Sequence, residues 1–418
     1  MGALLSEPVT AMVVEKSVSE SWAACAVSMQ GWRKTHEDEH ILQCASTGTE
    51  ECGVFAVLDG HGGQTAASIG SVALKELLGQ IAQHRGVANS DAEKELQDAF
   101  FKADARLREE LSSDDRSGTT VVAAIVTCPT PGEFCVQLAH CGDSRAVLRS
   151  GHRLICSSDH KPQREDETKR IQAAGGTVEH GPLGGGPLRV DGALAVSRAL
   201  GDFHFKPAEL DPAKCKVTAM PEISEVKVCH KGDWLLLACD GVFDVMENED
   251  VDEFISSRLQ KAPSAPADGG QVLTELLQTC LDKGSKDNCT ACLVQFVKPG
   301  SLRPTPGPER KLLQGAWDSA SPDVQEKYAE FFEAHGFEAE AKALRKKGGR
   351  SSAASSRGGP PRSASPPRAS GSAPAVGAQR QIVALAKAMQ AMRSSRKIQA
   401  AWRARRGSKG DGEGDQDT

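Results

Sequence analysis

Gly53-Val54-Phe55-Ala56-Val57-Leu58-Asp59-Gly60-His61-Gly62-Gly63 decides how this chain is read. From Val54 to Leu58 there is no polar side chain, so a strand here is expected to be covered on both faces. It stops at an acid followed by glycines, where the backbone must turn. Further β-rich runs occupy 119–127, 134–139, 234–239 and 291–297, and helical periodicity marks 64–83, 92–112, 165–174 and 271–283. In the last of these, Val272, Leu273, Leu276, Leu277 and Cys280 form one apolar stripe. The runs 134–139 and 145–149 are close enough to make a hairpin, so the sheets are expected to be antiparallel and the body α+β.

Working outward from Asp59, acids recur where strands end. Asp143 follows 134–139, Asp240 follows 234–239, and Asp287 just precedes 291–297. Each lies beside Gly or Asn, and any one alone reads as turn chemistry. Several carboxylates at the ends of buried strands can meet in one place, and hard oxygen ligands suit Mg²⁺ or Mn²⁺ better than zinc.

Eight segments, in order, resemble the motifs of the metal-dependent type 2C Ser/Thr protein phosphatases. They are Arg33-Lys34-Thr35-His36-Glu37-Asp38, Phe55 to Gly63, Ser117-Gly118-Thr119-Thr120 and Cys141-Gly142-Asp143-Ser144-Arg145. Asp159-His160-Lys161-Pro162, Leu194 to Asp202, Ala238 to Asp244 and Gly284-Ser285-Lys286-Asp287-Asn288 complete the set. The resemblance covers about residues 22–298. It implies a four-layer α-β-β-α sandwich of two antiparallel sheets flanked by helices.

The resemblance also implies a site. Asp59 would bridge two Mg²⁺ or Mn²⁺ ions, the Gly60 carbonyl would bind one, and Asp240 with Asp287 the other. Glu37 would join through water, and Asp143 with Asp240 and Asp244 could take a weaker third ion. Arg33 would hold the substrate phosphate and His61 would protonate the leaving Ser/Thr oxygen. The expected function is hydrolysis of phosphoserine and phosphothreonine in proteins by a metal-activated water. The alternatives are a catalytically silent phosphoprotein-binding scaffold and a small-molecule phosphatase on the same fold. A silent scaffold would lack a metal carboxylate or the arginine, and all are present. Arg198 and Asp202 are expected to tie the flap after Pro162 to the body. His160 is expected to stabilise its loop, and Cys289 and Cys292 to be core residues rather than a redox or zinc pair.

Charge divides the chain. Of 418 residues, 50 are Lys or Arg and 56 Asp or Glu, for a net −6. Residues 345–409 hold 16 basic residues and no acid, and residues 410–418 hold four acids, so residues 1–344 carry a net −18. No apolar run is long enough to span a bilayer, no signal-peptide pattern opens the chain, and 13 scattered cysteines suit a reducing cytosol. The expected domains are an N-terminal segment (1–21), the catalytic body (22–298), a helical extension (309–347) with one helix at 323–346, a disordered linker (348–379), a basic amphipathic helix (380–409) and an acidic tip (410–418). Ser321 and Pro322 fit the cap and first turn of the extension helix.

Both ends suggest addresses. Gly2 in Met1-Gly2-Ala3-Leu4-Leu5-Ser6 fits an N-myristoylation pattern, which with a basic tail would give membrane association to a cytoplasmic protein. The run Ile398, Gln399, Ala400, Ala401, Trp402, Arg403 resembles the first half of a calmodulin-binding IQ motif. A calmodulin-like partner therefore ranks first for the tail, a membrane surface second and nucleic acid last.

Overall fold

Strands that alternate two apolar faces need cover on both sides, and the fold supplies it with two antiparallel sheets. The computed structural model describes residues 4–47, 50–84, 92–182, 184–260 and 267–355. The expected sites at Gly2, Ile398, Gln399, Trp402 and Arg403, the 380–409 helix, the acidic tip and most of the linker lie outside the described residues. The larger sheet runs, in spatial order, Arg153–Cys156, Arg145–Ser150, Trp234–Ala238, Cys289–Phe296, Trp22–Arg33, Leu4–Val18 and Glu309–Leu313. The other runs Glu222–Ile223, Glu133–Cys141, Val121–Thr130, Glu50–Leu58 and Glu39–Thr47, with Lys227–His230 also paired to Glu133–Cys141.

Period-2 alternation distributes the side chains between the layers. Phe55, Val57, Val122 and Ala124 meet Trp22, Ala24, Leu235 and Leu237 between the sheets. Their neighbours Val54, Ala56, Leu58 and Ala123 point outward beneath the helices Thr65–His84 and Ala92–Glu110. On the opposite outer face Val27, Met29, Leu236 and Leu293 are covered by Asn248–Leu259 and Gly269–Asp282. The order is helix, sheet, sheet, helix, as expected. Trp22 meets Phe55 edge-on at 6.3 Å, and Phe134 stacks on Phe296 at 4.8 Å. Such pairs contribute about 0.5–1.5 kcal/mol beyond their burial.

Three local expectations change. The segment read as an N-terminal lead carries a 15-residue strand, Leu4–Val18, paired on one side with Trp22–Arg33 and on the other with Glu309–Leu313. The expected single helix over 323–346 is two, Pro322–Ala334 and Glu338–Ser355, and the second runs past the expected start of the linker. Ser321 holds the cap position before Pro322, but its hydroxyl makes no cap bond and is buried without a partner.

Leu4–Val18 explains where the extension goes. Met12 and Val14 face the helices on the outer side, whereas Val9, Ala11 and Val13 face the other way, onto Tyr328, Phe332 and Trp317. Tyr328 Oη accepts the Thr10 amide at 3.0 Å and lies 2.9 Å from Thr10 Oγ1. Arg345, counted with the basic tail, is bonded through its guanidinium to Glu326 and Glu333 and belongs to this packed helix pair.

Candidate active site

The sandwich brings its acids to one end. Asp59 follows Glu50–Leu58, Asp240 follows Trp234–Ala238, Asp143 follows Glu133–Cys141, and Asp287 precedes Cys289–Phe296. Glu37 and Asp38 lie between Trp22–Arg33 and Glu39–Thr47. Asp240 opens a short helical turn, Asp240–Phe243, rather than a simple bend.

Glycine beside the acids is set by close approach. A Cβ at Gly60 would lie 2.2 Å from the Glu37 carbonyl oxygen. Only glycine lets the Asp59 turn and the Glu37 loop come together.

The electrostatics are those of like charges held in too little water. Burial, and then Asp38, Asp287 and Asp143, push the Asp59 carboxyl well above the usual range. Burial and then Asp59 do the same to Asp240. Burial raises Asp38 to about 8 and moves Asp244 and Asp287 upward as well, the last despite the neighbouring Arg33. Asp240 Oδ1 and Asp38 Oδ2 are buried with no hydrogen-bond partner. Buried carboxyls crowded together with two oxygens unpartnered call for cations, and an all-oxygen donor set fits Mg²⁺ or Mn²⁺. Among the described residues the aspartates do not gather three ligand atoms as tightly as the 4.8 Å spread of a His140, His160 and Glu222 trio.

That trio is a poor metal site. His160 Nδ1 accepts the Gly142 amide at 3.1 Å, which leaves the proton on Nε2, 3.3 Å from Glu222. His140 Nε2 donates to the Ser158 carbonyl at 2.8 Å, and Arg164 sits 3.0 Å from the same Glu222 carboxylate. His160 thus stabilises its loop. Cys289 and Cys292 face opposite sides of one strand, each in a different core layer, and cannot act as a pair.

Around the carboxylates stand the other expected residues. Arg33 is ion-paired with Asp287 and keeps part of its guanidinium exposed. Asn288 ties the Arg33 loop down, donating to the Gln30 and Thr35 carbonyls at 2.7 and 3.0 Å and accepting the Glu37 amide at 3.0 Å. Glu37 in turn accepts the Gly63 amide at 3.1 Å. Lys161 is paired with Asp143, so a third ion there would have to displace an ammonium.

His61 has a partner that sequence reading assigned elsewhere. Its Nε2 lies 2.7 Å from Asp202 Oδ2, a nearly fully buried carboxylate. Burial opposes protonation of His61, but the charge and hydrogen bond of Asp202 outweigh it and raise the imidazole above its ordinary value. Asp202 has φ 52, a left-handed conformation that aspartate tolerates better than most residues. A Cβ at Gly118 would lie 2.0 Å from Asp202 Oδ2 and 2.5 Å from His61 Nε2, so the Ser-Gly-Thr-Thr segment makes room for this pair. The Asp202 side chain therefore pairs with His61 rather than tying the flap to the body. Arg198 does tie the flap region, through Glu167. Asp38 and Lys161 each fall inside a recognisable motif of the sequence. Their roles depend on contacts that spacing alone does not give.

A cavity of about 500 Å³ lies at the other end of the sandwich, beside Trp234 and Phe296. It is remote from the carboxylates, which lie at the opposite ends of the strands Trp234–Ala238 and Cys289–Phe296.

The model of the family described as protein phosphatase 2C matches residues 23–289. A mouse protein named "Probable protein phosphatase 1N" is 40% identical over 67% of this chain and 65% of its own length, so the chain spans just under two thirds of that relative. A probable protein phosphatase 2C of Caenorhabditis elegans is 35% identical over 71% of this chain and 81% of its own. Among solved structures, a phosphatase from Toxoplasma gondii superposes with a TM-score of 0.61 at 26% identity, covering 72% of this chain and 99% of that one.

Proposed function

The chain belongs to the protein phosphatase 2C family, and from that premise we propose that it is a metal-dependent hydrolase of phosphoserine and phosphothreonine in proteins. The observation that carries this reading is the cluster of buried, mutually repelling carboxylates with unpartnered oxygens at Asp240 and Asp38. Asp59, the Gly60 carbonyl, Asp240 and Asp287 would hold two ions, with Glu37 and Asp38 beside them. Asp143 and Asp244 would serve a weaker third. When bound, two divalent ions supply charge neutralisation for a phosphate dianion and a deprotonated water at neutral pH.

The chain's own residues do the rest. The Arg33 fork matches two phosphate oxygens and, once released from Asp287, orients the phosphorus for in-line attack. His61 carries the proton that the leaving alkoxide needs, and general acid help of this kind is worth about 10²–10⁴-fold. Asp202 aims the imidazole and keeps it charged.

The test of these roles is Asp202→Asn, which suits the left-handed backbone and keeps the hydrogen bond without the charge. It is expected to lower kcat on a phosphothreonine peptide by about 10- to 100-fold. An aryl phosphate, whose leaving group needs no proton, should suffer much less. Equal losses on both substrates would contradict general acid catalysis by His61.

The tail reads as an address or regulatory element of a cytoplasmic enzyme, with a calmodulin-like partner first and membrane contact, aided by Gly2 acylation, second. Titrating the full chain with Ca²⁺-calmodulin and with anionic vesicles ranks them. A calmodulin-binding tail is expected to shift the fluorescence of calmodulin labelled with an environment-sensitive dye, and no response at micromolar calmodulin excludes that partner.

A further inference from the structure

The loop that carries Arg33, Glu37 and Asp38 is held from two sides. Toward the carboxylates it is tied by Asn288, as described above. Away from them, the His36 ring turns out of the site and is buried against the end of the helix Pro322–Ala334. It meets Phe331 at 5.4 Å and His335 at 5.1 Å, both edge-on, while Phe331 and His335 pack on each other at 4.2 Å. His335 Nδ1 is bonded to the Phe331 carbonyl at 2.7 Å, which fixes its ring at the end of Pro322–Ala334.

That helix is itself anchored. Tyr328 is bonded to Thr10, and Phe331 and Phe332 are fully buried with Val9 and Val13. The strand beneath it begins at Leu4, whose register partner across the sheet is Arg33. The loop thus divides its side chains: His36 into the extension, Glu37 and Asp38 toward the site. The family match ends at residue 289, so the cover on His36 comes from a segment beyond it.

We propose that the C-terminal helix pair is a positioning element of the active site, acting through the His36, Phe331 and His335 rings to hold the Arg33–Asp38 loop in its phosphate- and metal-binding shape. His36 and His335 touch neither substrate nor ion in this account. They set how much of the loop's ordering is complete before ligands arrive, and a preformed loop binds more tightly than one ordered on binding. The kinetic part of the proposal rests on the phosphatase reading, but the loop-ordering part does not.

The experiment compares His335→Ala with His335→Phe in the full chain. In metal-free protein, hydrogen exchange in the segment 33–39 is expected to speed up in His335→Ala, because the Glu37 amide loses its fixed alignment on Asn288. With Mn²⁺, KM for a phosphothreonine peptide and the half-activating Mn²⁺ concentration should rise about three- to tenfold, the scale of an aromatic pair, with kcat within about twofold. The ring-preserving His335→Phe should restore all three. A lower Tm with unchanged exchange at 33–39, or equal behaviour of the two variants, would overturn the proposal. If the exchange change appears without any phosphatase activity in the parent protein, the functional reading fails while the positioning contact stands.

Discussion

Asp240→Asn is expected to abolish turnover of an aryl phosphate at saturating Mn²⁺, with a loss of about a thousandfold or more. The carboxylate is crowded by Asp59, Asp143, Asp287 and Asp244, with one oxygen buried and unpartnered, and in the proposed mechanism its replacement removes a metal-ligand charge. Losing several kcal/mol of charge stabilisation corresponds to three or more decades in rate at about 1.4 kcal/mol per decade. Asp59→Asn should behave alike, because the two buried carboxyls repel each other and share the repelling neighbours Asp143 and Asp287. The same variants should leave the metal-free protein no less stable than the parent, since one charge has been removed from a crowded buried set. Steady-state kinetics and metal-free thermal melts together check this. Activity within tenfold of the parent would remove the carboxylates from the mechanism.

The largest effect on stability is expected at Glu167, on Glu165–Ala173. Its side chain is fully buried and accepts from Arg198 Nε at 2.9 Å and Nη2 at 2.7 Å, from Arg170 at 2.7 Å and from the Ser197 hydroxyl. Arg198 also donates to the Met220 carbonyl, and Arg170 to the carbonyls of Ser197 and Cys215. One carboxylate therefore joins the flap helix to the segments around 197 and 215–220. Glu167→Ala leaves two partly buried guanidinium groups without their main anion, a change worth about 3 kcal/mol. Denaturant melts check this, and a loss below about 1 kcal/mol would show that water replaces the carboxylate.

The same group predicts acid lability. Although burial opposes its charge, Arg170 and Arg198 hold the Glu167 carboxyl well below its ordinary value of 4.5. A carboxylate depressed in the folded state contributes stability that is complete above the unfolded value and lost as pH falls toward the folded one. The contribution is therefore intact at neutral pH and declines below about pH 4.5. Glu167→Gln should flatten that part of the stability profile.

The sequence carried the middle of the fold well because its strands there are apolar on both faces. Glu50–Leu58, Trp234–Ala238 and Cys289–Phe296 could hardly be anything else. Leu4–Val18 was hidden by Pro8, Thr10, Glu15 and Lys16 and by partners near residue 310. Trp22–Arg33, with three Ala and Val27 as its one β-branched residue, lacks the β-branched signature yet lies within the larger sheet between two paired neighbours. At the site, each carboxylate was legible by its motif and its strand end. The pairings were not: His61 finds Asp202 across 141 positions, and Asp143 finds Lys161 across 18. Nothing in the local pattern around His36 announces a partner near residue 335.

The most direct test is phosphate release from a phosphothreonine peptide by the full chain, measured in excess chelator and again after Mn²⁺ is restored. No release above background is expected with chelator, and full recovery with Mn²⁺. Undiminished release in chelator, or none at any Mn²⁺ concentration, would contradict metal-dependent hydrolysis.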